Sequence, residues 1–154
     1  FTTDADPGKG EAGDYPLLET GETTGEDILE ARMTALFEGG PRFIVYADLF
    51  TSLYDYYVVN YWPEAEYLDP GHIDGSHQYT PLSSLHTDAD LATLPTDKPI
   101  VIYCYTGQHG SQVASWLTLI GYDAYDLKFG TNGMIFSQMT KKTWHGAEDY
   151  AFVE

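Results

Sequence analysis

The chain is poor in three things: cysteine, basic residues and long apolar runs. Its 154 residues hold one cysteine, Cys104, so neither an intrachain disulfide nor a cysteine-rich zinc site can be built. Only 7 lysines and arginines oppose 24 aspartates and glutamates, a net charge of −17. Such a surface repels nucleic acid and anionic lipid, and neither is expected as a partner. No stretch stays apolar over the ~20 residues that a spanning helix requires, so no transmembrane segment is expected. The histidines (His72, His77, His86, His109, His145) lack the paired spacing of a structural zinc site. No metal or other cofactor is expected.

What is present is concentrated around the one cysteine. Pro99 precedes the apolar run Ile100-Val101-Ile102-Tyr103, which predicts a strand buried on both faces, as in a parallel sheet. Cys104-Tyr105-Thr106-Gly107-Gln108-His109-Gly110 follows as a short glycine-bearing loop. From Ser111, the residues Val113, Trp116, Leu117 and Ile120 recur at helical spacing, and Gly121 supplies a stop. Cys104 is therefore expected at the carboxyl end of a strand with a helix N-terminus beside it. Unpaired N–H groups and the helix dipole favour an anion there, and hence a thiolate. Gly107 allows the loop amides to curl toward one point as an anion nest. The competing reading of a lone cysteine after a strand is a small buried hydrophobe.

Further short apolar runs lie at Phe43 to Tyr46, Tyr57 to Tyr61 and Ala124 to Leu127. Helices are expected between the strands at Ala47 to Tyr54, Pro63 to Tyr67, Leu82 to Leu94 and Ser111 to Ile120. The alternation predicts an α/β fold, a parallel β-sheet with helices on both faces. Active sites in such sheets lie outside the carboxyl ends of the strands, where Cys104 falls. Residues 1–22 are acidic and hold little to bury, and are expected as a flexible tail or linker. Residues 23–40 are expected as an N-terminal helical extension. Thr23-Thr24-Gly25-Glu26 looks like a capping box, and Ile28, Leu29, Met33, Leu36 and Phe37 form a stripe expected to pack on the core. The chain begins at Phe1 rather than Met. A removed leader and an acidic stalk suit a protein of the bacterial periplasm or envelope, the other setting being the cytoplasm.

Three segments in order resemble the rhodanese-like family. Cys104 to His109 is similar to its six-residue active-site loop. Gly71-His72-Ile73-Asp74-Gly75-Ser76 looks like its Gly-His-Ile-Pro-Gly-Ala signature, and Leu119 to Gly130 like its Leu-Gly-Tyr-x-x-Tyr-x-Leu-x-Gly-Gly segment. The resemblance runs from about Pro41 to Met139 and implies a rhodanese-like domain over residues 41–154. It implies a sulfurtransferase in which Cys104 carries a persulfide. Sulfane sulfur would pass from a donor such as thiosulfate to a thiol or cyanide acceptor. Tyr105, Thr106, Gly107, Gln108, His109 and Gly110 would form the substrate-binding loop.

The chain also departs from that pattern. Members often carry Arg or Lys in the loop, where this sequence has neutral residues and His109. Asn60 and Trp62 stand where an Asp-x-Arg strand signature is common, and are expected in supporting roles. The phosphatase-type Cys-x5-Arg loop is excluded, because Gly110 is six residues after Cys104 and no arginine follows Arg42. A non-catalytic binding or redox-sensing module that uses Cys104 stoichiometrically is the alternative.

Overall fold

A computed structural model describes residues 1–146. The expected 41–154 domain therefore ends in residues, 147–154, that lie outside the described part. Among the described residues, five strands form one parallel sheet in the order β1-β5-β4-β2-β3. They are β1 (Phe43–Ile44), β2 (Tyr57–Asn60), β3 (His77–Gln78), β4 (Ile100–Tyr103) and β5 (Ala124–Leu127). β4 lies at the centre, in register with Tyr57 to Asn60 on one side and Ala124 to Asp126 on the other.

The residues of β4 are all buried and alternate between two cores. Ile100 and Ile102 pack with Ala114 and Leu117 of helix α4 (Gln108–Leu119), while Val101 and Tyr103 pack with Leu49, Ile73 and Leu127. Side chains of a strand point alternately to opposite faces, so covering both faces requires a continuous apolar run. Helices α2 (Tyr46–Thr51) and α3 (Glu64–Leu68) follow β1 and β2 and bury Leu49 and Tyr67. The strands β4 and β5 take the bounds read from sequence, and α4 starts three residues earlier than expected.

Three expectations are corrected. Leu82 to Leu94 is not a helix but a series of turns ending in a short 3-10 helix, Leu91–Thr93. Local polar groups take the backbone bonds that a helix would need: Ser84 Oγ accepts from Thr80 N–H, and Ser84 O from Asp90 N–H. Leu82 adopts φ 62°, and its N–H donates to the Tyr61 hydroxyl. Second, α1 (Gly25–Gly39) is capped by Thr24 Oγ1, which accepts from Asp27 N–H, one residue later than the Thr23–Glu26 pair. Third, α1 buries none of its residues, and Leu29, Met33 and Phe37 are exposed. It lies on α4, where Arg32 donates to the terminal carbonyls of Thr118 and Leu119. This capping of a neighbouring helix's C-terminus is a polar contact that the apolar stripe did not signal, and of that stripe Ile28 and Leu36 are half-buried.

Residues 1–22, expected as tail or linker, hold no helix, yet they contact the domain at several places, among them its β3 edge. Thr2 and His72 exchange two backbone hydrogen bonds of 2.8 Å. The Asp6 carboxylate accepts from Gln78 N–H at 3.1 Å, and Lys9 pairs with Asp90 at 3.0 Å. An edge strand otherwise presents unpaired backbone groups, and Asp6 occupies one of them.

Beneath the cysteine, the Tyr103 hydroxyl joins three segments distant in sequence. It accepts from Asn60 Nδ2 at 2.7 Å and from Ile73 N–H at 3.1 Å, and lies 3.2 Å from Ser76 Oγ. Burial holds this phenol protonated, pushed up to about 12. Tyr103→Phe leaves two buried donors without an acceptor and is expected to cost about 1–3 kcal/mol. Urea unfolding should show a lower midpoint at unchanged slope.

Candidate active site

Cys104 follows the last residue of β4, and Gly107, at φ 83°, turns the chain into α4. Its left-handed conformation suits glycine. The loop is held from behind by its carbonyls. Cys104 O accepts from Thr131 N–H and Tyr105 O from Asn132 N–H, each at 3.0 Å, and Asn132 Nδ2 adds a bond of 2.6 Å to Tyr105 O. Gly130 makes this approach possible, since a Cβ there would overlap the Cys104 carbonyl. With the carbonyls turned back, the N–H groups of Tyr105 to Gly110 have no acceptor among the described residues. Unpaired amides at a helix start form an anion-binding concavity.

The loop borders a cleft of about 370 Å³ lined by Tyr61, Trp62, Pro63, Pro81, Cys104, Tyr105, Thr106, Gln108, His109 and Lys142. Thr106 and Gln108 also border a second hollow of about 220 Å³ with Phe129, Asn132 and Trp144. Cys104 itself is only 3% exposed. Of the residues predicted from sequence, Cys104, Tyr105, Thr106, Gln108, His109 and Trp62 meet at the cleft. Gly107, Gly110 and Asn60 do not line it. Gly107 and Gly110 shape the backbone, and Asn60 acts through Tyr103. Trp62 is both packed and at the site: it is 1% exposed and stacks on Tyr105 at 4.2 Å between ring centroids. Tyr105, expected in the substrate-binding loop, is thereby buried.

Two residues at the site escaped the sequence reading. Lys142 arrives from the C-terminal segment, its ammonium 4.2 Å from the centre of the Tyr105 ring and 4.0 Å from Glu66 Oε2. Its contribution is a positive charge at a cysteine loop that has none of its own. Nothing local marks it, because 37 residues separate Lys142 from Tyr105. Asp126, on β5, is the second. Its side chain lies behind the loop, where a Cβ on Gly110 would overlap Oδ1 and one on Gly107 would sit 3.2 Å from Oδ2. Asp126 is 8% exposed, and its Oδ1 has no hydrogen-bond partner among the described residues. Burial pushes the carboxyl up to about 7. A charged residue inside an otherwise apolar strand, Ala124 to Leu127, was the available signal.

A profile of the Rhodanese-like domain matches residues 53–135, more than half of the chain. The chain belongs to the rhodanese-like family. Among solved structures, it resembles a rhodanese-related protein of Thermoplasma volcanium at 25% identity and a TM-score of 0.56, over 63% of this chain and 93% of that one. The reduced CoADR-RHD of Bacillus anthracis matches at 26% identity and a TM-score of 0.54, over 60% of this chain but only 16% of that longer one. A Staphylococcus saprophyticus protein shares the fold at 22% identity and a TM-score of 0.51, over 58% of this chain and 89% of that one. A search of curated proteins gave no match. The rhodanese-like domain here thus has the parallel α/β sheet, with Cys104 at its carboxyl end.

Asp126 makes the stability of this domain pH-dependent. Its folded pKa, about 7, lies above the ordinary 3.8, so the folded protein binds the extra proton between these values. The contribution is complete below about pH 4 and is lost as pH rises toward 7. At about 1.4 kcal/mol per pKa unit the loss is on the order of a few kcal/mol. Asp126→Asn should therefore gain stability over the parent between pH 4 and 7, measured by urea unfolding at both ends.

Proposed function

We propose that this rhodanese-like domain is a sulfurtransferase that carries sulfane sulfur on Cys104. The observation that carries the reading is the pairing of Cys104 with a loop whose amides are unengaged, at a cleft that also holds Lys142. In the first half-reaction the Cys104 thiolate attacks the outer sulfur of a donor. For thiosulfate, the S–S bond breaks, sulfite leaves with the electron pair, and Cys104 becomes a persulfide anion. In the second, a thiol or cyanide attacks the terminal sulfur, and the Cys104 thiolate is released. Covalent catalysis of this kind gives ping-pong kinetics. The loop N–H groups stabilise negative charge on sulfur in both halves, as fixed dipoles with no other acceptor among the described residues. Lys142 offsets repulsion between an anionic donor and a chain of net charge −17.

Burial of Cys104 and the neutral loop favour a second reading, a module modified once at Cys104 without turnover. Thiosulfate treatment followed by intact-mass measurement tests the first step. One added sulfur atom is expected on the parent and none on Cys104→Ser. Turnover with cyanide or a dithiol separates catalysis from stoichiometric modification, and absence of any adduct with every sulfane-sulfur donor overturns the proposal.

Lys142→Gln should raise KM for thiosulfate about two- to fivefold, the scale of an exposed ion pair, with little change in kcat. Steady-state kinetics at low ionic strength measures this, and added salt should narrow the difference.

A further inference from the structure

Cys104 and Asp126 lie on opposite sides of one short loop. The carboxyl is separated from that loop by glycine hydrogens alone, at Gly107 and Gly110. On the other side the same loop borders the cleft with Cys104. We propose that Asp126 is a positioning residue whose proton sets the charge that the Cys104 loop can hold: neutral, it leaves the loop amides to a sulfur anion, and ionised, it opposes one.

Among the described residues, the Asp126 Oδ1 has no hydrogen-bond partner. On β4 its register partner is Ile102, and on β1 it is Phe43, both apolar. Asp126 N–H donates to Arg42 O, but the Arg42 guanidinium is taken by Asp123 and Tyr125. The Lys128 ammonium lies over the Phe43 and Phe129 rings. On α4, His109 meets the edge of Tyr61. None of these groups forms an ion pair with Asp126 among the described residues. A buried carboxylate without a cation is costly. Asp126 packs against Gly107 and Gly110, whose N–H groups belong to the same unengaged set that a thiolate or persulfide would use. Two anions sharing one set of donors repel each other. Like charges on opposite sides of one short loop each disfavour the other's ionised form.

The inference rests on Cys104 carrying negative charge, not on sulfur transfer as such. Because the chain has one cysteine, alkylation by iodoacetamide reports Cys104 alone. Rates are measured from pH 5 to 9 for the parent and Asp126→Asn, both in a His109→Gln background that removes the imidazole. The expected result is a profile displaced to lower pH in Asp126→Asn, with alkylation at least threefold faster near pH 7.5. Superimposable profiles overturn the proposal. Coupling between two sites is reciprocal, so a second measurement needs no change at Asp126. Carbon-13 NMR of the Asp126 carboxyl should show a lower titration midpoint in Cys104→Ser than in the parent, and an unchanged midpoint overturns the proposal. Sulfur-transfer assays do not enter either readout. Failure of the sulfurtransferase reading would leave both results interpretable, and a null alkylation result would leave that reading untouched.

Discussion

The Tyr103 hydroxyl is the point on which the site depends. It binds Asn60 at the end of β2 and the backbone of Ile73, and it neighbours Ser76 in the Gly71 to Ser76 turn. Being fully buried, these groups have no water to replace a lost partner, so the bonds carry the full cost of desolvation. The next residue is Cys104. Any rotation of β4 that moved the cysteine would have to break this cluster first. An asparagine at position 60 serves here because its amide donates to a neutral phenol, with no ionised group buried in the cluster.

On that support, the cysteine loop is built by close backbone approach rather than by side-chain charge. Gly130 lets the Gly130–Gly133 turn meet the Cys104 carbonyl, and Gly110 lets α4 meet Asp126. The Cys104 and Tyr105 carbonyls are consumed by that turn, and the loop amides are left without an acceptor among the described residues. A neutral loop can thus still favour an anion, through dipoles fixed by the fold. Charge enters at longer range: Lys142 contributes a cation from the C-terminal segment, and Asp126 contributes a carboxyl that burial keeps protonated toward neutrality.

The N-terminal parts are organised by different physics. Residues 1–20 meet the domain through backbone and charged bonds at the β3 edge, and through Phe1 near Trp62 and Pro16 and Leu18 against Gly121. Helix α1 meets the domain through Arg32 at the end of α4. The hydrogen bonds and ion pairs of these attachments do not follow from hydrophobic pattern, which is why the tail showed no sign of them. The Leu82 to Leu94 segment misled for the opposite reason: its apolar spacing is helical, but Thr80, Ser84 and Asp90 spend the backbone bonds locally.

The sequence by itself determined the parallel sheet, the place of Cys104 at a strand end and the helix that follows it. These are properties of consecutive residues: strand burial, glycine conformation and helical spacing are written within a few positions of one another. The three signature segments added the family, because their order and intervals are also linear. Only the tertiary structure decided what faces the loop. Trp62 and Tyr105 become a stacked pair, Lys142 comes to the cleft, and Asp126 comes to rest behind Gly110. Each of those relations joins residues far apart in the chain, and no local periodicity encodes such a distance. The cysteine loop was therefore legible as a loop, while its charge was set by residues that only folding brings to it.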